Sequence, residues 1–275
     1  MTATRTHLCL GIDPDARALP DGFTTDVAGV EAFARLVLDA AGSAASAVKV
    51  NLAFFEAWGS EGLAALERLR ARIPADLPFI ADAKRGDIGS TGEQHARALF
   101  DHLAADAVTV SPYLGRDAVG PFLERSDRFV YLLCRTSNPN AADLQSLVVS
   151  ADAATGVPAE PLALRVARLA GAWQHHDGTV GLVVGATAPE GLDAVRRTAP
   201  GLPFLAPGVG AQGGDESAVM RAGPATEAPG SEVAGGGLLV NVSRGIAGAA
   251  RGATDPGEAM SAAAQEWAAR LRVLR

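Results

Sequence analysis

Phe79-Ile-Ala-Asp-Ala-Lys-Arg-Gly-Asp-Ile-Gly-Ser-Thr91 sets a carboxylate, an ammonium and a second carboxylate (Asp82, Lys84, Asp87) within six residues, at the end of an apolar run. The run reads as a strand, and residues two apart on a strand face the same side. Asp82 and Lys84 are therefore expected to project together, with Asp87 following in the turn. A carboxylate beside a lysine favours the ammonium form, whereas a Schiff-base lysine must be neutral to attack a carbonyl. The arrangement suits a lysine that works as a cation and proton donor. A surface ion pair is the bland alternative, but the strand leading into it is too apolar for an exposed position.

Around this strand, short apolar runs alternate with longer segments of helical period. Strands are expected at His7–Asp13, Ala47–Asn51, Pro78–Lys84, Ala107–Val110, Phe129–Cys134, Val180–Gly185, Pro203–Ala206 and Leu238–Asn241. Helices are expected at Val27–Gly42, Glu61–Ile73, Gly89–Ala104, Asp117–Arg125, Pro161–His175, Pro189–Arg197, Gly214–Ala222 and Pro256–Leu274. Strands each followed by a helix, in this number, predict a single-domain (β/α)8 TIM barrel. A doubly wound open sheet is the alternative, but no Gly-x-Gly-x-x-Gly follows the first strand. Two stretches break the rhythm. Ser137 to Glu160 is longer than an ordinary loop and follows the fifth strand, on the catalytic face of a barrel, so an active-site lid is expected there. Gly223 to Gly237, rich in Gly, Pro and Ala, precedes the eighth strand on the opposite face and reads as a flexible spacer.

The composition narrows the function classes. A chain of 275 residues with 48% hydrophobic residues buries a substantial core, and a net charge of −7 argues against non-specific nucleic-acid binding. Cys9 and Cys134 lie in apolar runs and read as buried thiols in a reducing compartment. Neither a signal-peptide stretch nor a transmembrane-length apolar segment is present, so a cytoplasmic protein without membrane contact is expected.

In a barrel, chemistry gathers at the C-terminal ends of the strands. There the chain places Asp13, Lys49 and Asn51, then Asp82 and Lys84, then Ser137, Pro207 to Asp215, and Ser243-Arg-Gly245. Asp13 also reads as a turn starter before proline. Lys49 at the end of an apolar strand needs a carboxylate partner, with Asp13 and Asp82 as candidates. The stretch Pro207-Gly-Val-Gly-Ala-Gln-Gly-Gly-Asp215 exposes backbone N–H groups ahead of a helix, a phosphate cradle that Arg244 would complete with a bidentate guanidinium. No histidine, cysteine and carboxylate cluster has metal-ligand spacing.

These motifs resemble the orotidine 5′-phosphate decarboxylase family, in the bacterial branch with a long loop after strand five. The matching pieces are Gly11-Ile-Asp-Pro14, Lys49-Val-Asn-Leu-Ala-Phe-Phe-Glu56, Asp82 to Thr91, Thr136-Ser-Asn138, Pro207-Gly-Val-Gly-Ala-Gln212 and Ser243-Arg-Gly-Ile246. Val50 stands where this branch is expected to carry proline. The resemblance implies decarboxylation of orotidine 5′-monophosphate to UMP, the last step of de novo UMP synthesis, without cofactor or metal. It implies a homodimer with sites at the subunit interface. By the same carry-over, Asp82 and Lys84 face the reacting carbon, and Asp13 and Lys49 flank the ribose and the charge network. Asp87, Ile88 and Thr91 enter the neighbouring subunit's site. Ser137, or its neighbour Thr136, reads the pyrimidine edge, and Pro207, Gln212, Ser243 and Arg244 line the phosphate end. Metal-dependent sugar-phosphate decarboxylases and hexulose-phosphate synthases share the Asp-x-Lys-x-x-Asp spacing and are the nearest rivals. A catalytically silent nucleotide binder is the third reading.

Overall fold

A computed structural model describes residues 5–173, 179–210 and 213–273. Eight parallel strands form the sheet: β1 Leu8–Ile12, β2 Ala47–Asn51, β3 Phe79–Arg85, β4 Ala107–Val110, β5 Phe129–Arg135, β6 Val180–Val184, β7 Phe204–Pro207 and β8 Leu239–Val242. Their order is β1-β8-β7-β6-β5-β4-β3-β2, closed on itself, which makes the expected TIM barrel. The strands read as near-continuous Val, Leu and Ala runs because barrel strands are covered on both faces.

The main helices alternate with them: α1 Val27–Ala41, α2 Gly59–Arg70, α3 Gly89–Ala96, α4 Arg116–Leu123, α5 Leu162–Trp173, α6 Pro189–Thr198, α7 Glu216–Ala222 and α8 Pro256–Arg270. Aspartates set several starts. Asp26, Asp215 and Asp255 each accept a backbone N–H three residues on, from Gly29, Ala218 and Glu258 at 3.0, 3.0 and 2.9 Å. Such caps satisfy donors that the first helical turn leaves without partners. The helix expected to reach Ala104 keeps α form only to Ala96 and continues as a π-turn, Arg97–His102.

The chain falls into two compact units. One gathers Met1–Ala83, His95–Val108 and Leu239–Arg275, the other Lys84–Gln94 and Thr109–Leu238. The first holds β1, β2 and β8 in register, with Gly11 opposite Lys49 and Cys9 opposite Asn241. Its core includes Leu8, Leu10, Val30, Phe55, Leu69 and Met260, all fully or nearly fully buried.

The second unit contains both irregular stretches. The long connection after β5 carries a 3-10 turn, Pro139–Ala141, and a helical turn, Ala142–Gln145. An antiparallel pair, Val148–Val149 with Glu160–Pro161, follows. Glu160 at its end is buried against Arg165 and Arg168, each at 2.9 Å. The Gly/Pro/Ala-rich stretch spans residues 223–237. It carries two 3-10 turns, and its Thr226 and Gly230 N–H groups bond to the carbonyls of Pro200 and Gly201.

Arg196 organises the same region. Its Nη1 donates to the carbonyls of Ala199 and Leu202, at 2.8 Å each, and to Pro200 at 3.1 Å; Nη2 donates to Gly223 at 2.5 Å. The guanidinium carbon sits 3.6 Å from the Phe204 ring centre, and burial pulls the group down to about 10. Carbonyls gathered by an arginine distant in sequence leave no local signature. Arg196→Met removes the shared donor and is expected to cost about 2–4 kcal/mol of unfolding stability. A urea midpoint reads that loss, with turnover unchanged.

Candidate active site

Three strand ends of the first unit meet at one ammonium. Lys49 sits on β2 between Val48 and Val50, and the strand buries it to 4% exposure. A solitary buried ammonium is prohibitively costly. Here Nζ lies 2.8 Å from Asp82 Oδ2 and 3.7 Å from Asp13 Oδ1. Burial alone would lower the lysine's pKa, but the Asp13 and Asp82 charges outweigh it and hold the group above the usual lysine range. Cys9 lies within reach of the same charges, and burial pushes its thiol up to about 12, so it stays neutral. Asp13, Lys49 and Asp82 are thus brought together as the sequence suggested, while Asn51 is used locally, accepting the Ala53 N–H at 3.2 Å.

One residue of this unit escaped the sequence reading. Asn241 is an amide within an otherwise apolar strand, 8% exposed, and its Oδ1 is buried without a hydrogen-bond partner among the described residues. Asp13 Oδ1 shares that condition. The signal was available, since a polar residue inside Leu239-Val-Asn-Val242 has to be accounted for. Gly11 makes room for it: a Cβ there would stand 2.7 Å from Ser243 Cβ and 2.9 Å from Asn241 Oδ1. Ser243 is half-buried and Arg244 exposed at the end of β8.

In the second unit, Lys84 departs from the period-two alternation that linked it to Asp82. Its φ is +49°, in the left-handed region, and it is exposed where Asp82 and Ala83 are buried. Its N–H donates to Thr109 Oγ1 at 3.0 Å, and the Ser111 N–H returns to Arg85 O at 2.7 Å. Asp87 is half-buried, and its Oδ1 accepts the Ile88 N–H at 2.8 Å. Ile88 is 53% exposed and Thr91 is also exposed.

At the end of β5, Gln145 clasps Thr136. Gln145 Oε1 accepts the Thr136 N–H at 2.9 Å, and Gln145 Nε2 donates to Thr136 Oγ1 at 2.7 Å. The Thr136 hydroxyl in turn donates to Asn138 Oδ1 at 2.6 Å. Thr136 is therefore committed, whereas the Ser137 hydroxyl has no hydrogen bond among the described residues. Gln145 has no sequence signal beyond lying in a long loop.

The glycine-rich loop turns through Gly208, Gly210 and Gly213, all at positive φ, and Pro207 is half-buried at its start. Gly213 and Gly214 N–H groups close it on the carbonyls of Gly210 and Gly208. Asp215 caps α7 itself, its side chain accepting the Ala218 N–H. Gln212 lies outside the described residues. A separate open cleft of about 670 Å³ runs beside Pro14, Phe54 and Trp58, and its carboxylate, Asp15, is paired with Arg17 at 2.9 Å. It contains none of the candidate residues.

Gly11→Ala is expected to overpack the β1–β8 contact, costing about 1–3 kcal/mol and displacing Asn241 and Ser243; thermal unfolding and substrate KM measure the two effects. Lys49→Met strands a buried carboxylate and is expected to cost about 3–5 kcal/mol at neutral pH. The folded lysine's pKa stands above its unfolded value near 10.4, so its stabilisation is complete below about that pH. It is lost as pH rises through the folded value. Urea unfolding at increasing alkalinity is expected to show this decline in the wild type and not in the variant.

The Orotidine 5′-phosphate decarboxylase / HUMPS family model matches residues 6–262. A relative from Roseiflexus castenholzii, orotidine 5′-phosphate decarboxylase, is 48% identical over 95% of this chain and 90% of its own length. One of the same name from Thermomicrobium roseum is 48% identical over 87% of this chain and 80% of its own. Among solved structures, Leishmania donovani OMP decarboxylase superposes with a TM-score of 0.79 at 40% identity, covering 98% of this chain and 95% of its own. Leishmania donovani UMP synthase gives 0.81 at 41% identity, over 97% of this chain, which spans only 53% of that protein. With the motifs at the strand ends and the match running through nearly the whole chain, this protein belongs to the orotidine 5′-phosphate decarboxylase / HUMPS family.

Proposed function

We propose that this protein decarboxylates orotidine 5′-monophosphate to UMP and CO2. The observation that carries the reading is the buried Asp13–Lys49–Asp82 network at the ends of β1 to β3, two residues before Lys84. Its ammonium offsets one of the two carboxylate charges. The relatives' names supply the substrate.

In the proposed reaction the bond from C6 to the carboxylate breaks, CO2 leaves, and the electron pair stays on C6. The ring delocalises that charge poorly. The Lys84 ammonium stands where it develops, so its attraction grows toward the transition state, the condition for raising the rate. Lys84 then gives its proton to C6 and regains one from water. Asp82, held by Lys49, faces the departing carboxylate.

The same reading assigns the remaining residues. Asp13 and Lys49 flank the ribose. Ser137 reads the pyrimidine edge, because Thr136 is committed to Gln145 and Asn138. The loop from Pro207 through Gln212 grips the phosphate together with Ser243 and Arg244. Exposed Leu144, Leu147 and Val148 support a role for the long connection as a cover over the base. Ile88, Tyr113 and Leu114 are 53%, 78% and 50% exposed, as expected of a surface that meets a second copy and delivers Asp87, Ile88 and Thr91 into its site. Among the described residues no helix is long and apolar enough to cross a membrane. Both cysteines are buried free thiols, in keeping with a cytoplasmic setting.

Mixing purified protein with orotidine monophosphate is expected to bleach the orotate absorbance at the same rate with and without EDTA. No change, or loss of activity with chelator, moves the reading to a metal-dependent sugar-phosphate enzyme of the same family. Lys84→Ala is expected to abolish turnover while UMP binding survives; near-normal turnover would overturn the proton-donor role.

A further inference from the structure

We infer that Thr109 is the positioning residue of Lys84: its hydroxyl accepts the Lys84 backbone N–H and holds the lysine in a left-handed conformation at the rim of β3. The proposal rests on the reading of Lys84 as proton donor.

Only Arg5, Lys84 and Ala104 among the described non-glycine residues have positive φ. Arg5 lies at the start of the described chain and Ala104 follows the π-turn. Lys84 alone sits within a strand. A left-handed residue with a Cβ is strained by about 1–2 kcal/mol, and lysine has no short polar side chain to offset it. Such strain persists only where the surroundings over-determine it.

The surroundings include bonds to residues 109 and 111, in and just after β4. Thr109 Oγ1 takes the Lys84 N–H at 3.0 Å, a place where a regular parallel ladder uses a backbone carbonyl. One residue on, Arg85 O accepts the Ser111 N–H at 2.7 Å and restores the backbone pattern. Thr109 is 1% exposed within the strand Ala107-Val-Thr-Val110. Valine fills the same space there, so the hydroxyl is what the position adds. Its effect is to turn Lys84 out of the pleat just after the buried Asp82 and Ala83.

Lys49 and Lys84 are the only lysines in the chain, which gives a direct readout. Protein labelled with 15N-lysine shows two backbone amide signals, and Lys84→Arg assigns them. The Lys84 amide is expected to be protected from hydrogen exchange in the wild type and in Thr109→Ser, and to exchange fast in Thr109→Val. Turnover should follow: Thr109→Val lowers kcat by about 100-fold, the scale of a small misplacement of a reacting group. KM and UMP affinity change little, and Thr109→Ser restores most of the rate. Thr109→Ala makes the same deletion without the added methyl, so a packing fault in the valine variant does not decide the outcome. Unchanged Lys84 protection, or near-wild-type kcat, in both deletion variants would overturn the proposal. Were the wild type itself inert toward orotidine monophosphate, the reaction reading would fail, while the exchange measurement still decides the Thr109–Lys84 contact.

Discussion

The arrangement depends first on keeping an ammonium buried between two carboxylates. Lys49 reaches Asp82 at 2.8 Å and Asp13 at 3.7 Å from a register in which it lies opposite Gly11 and Ile80, two residues short of both carboxylates along the neighbouring strands. A one-residue slip of β2 would turn Lys49 to the opposite face. Charge pairing therefore fixes the register of the strands that carry it. Stability alone is a poor reason to retain such a group, since well-packed apolar residues often replace a buried ion pair at no loss. Its value lies in holding Asp82 oriented at a strand end.

The opposite requirement governs residues 196–237. There a single buried cation, Arg196, is surrounded by carbonyls of residues 199–202 and 222–223 rather than by carboxylates. Neutral acceptors satisfy a guanidinium's several donors without adding a second charge to the interior. The site at the strand ends uses full charges because it has to act on a charged substrate. The loops that precede β7 and β8 need only be closed, and dipoles are enough for that.

Periodicity made the barrel legible. Runs such as Val180–Val184 and the aspartate starts of α1 and α8 are local signals, and each matched an element to within a few residues. The charged site was legible for the same reason, since Asp13, Lys49 and Asp82 are costly at apolar strand ends unless they meet. What stayed hidden depends on partners remote in sequence. Thr109 reads as an ordinary β-former until its hydroxyl is seen on the Lys84 amide. Gln145 is one polar residue in a long loop until its amide clasps Thr136. Asn241 could have been flagged as a polar intruder in β8, but its neighbour Gly11 carries no sign of why it must be glycine. In the 223–237 stretch, glycine and proline report local freedom and not the bonds that Thr226 and Gly230 make to Pro200 and Gly201.

The two lysines are secured by opposite means. Lys49 is fixed through its head group, in charge contact with Asp82 and Asp13, and its backbone stays in a regular strand. Lys84 is fixed through its backbone, by a left-handed turn with its amide on Thr109. In the proposed reaction the Lys84 head group surrenders a proton in every cycle, and an anchor made through that group alone would be released at each transfer. Placement through the main chain survives the change of charge. On that logic, strain of about 1–2 kcal/mol beneath Lys84 is a modest cost for a donor whose position does not depend on its protonation state.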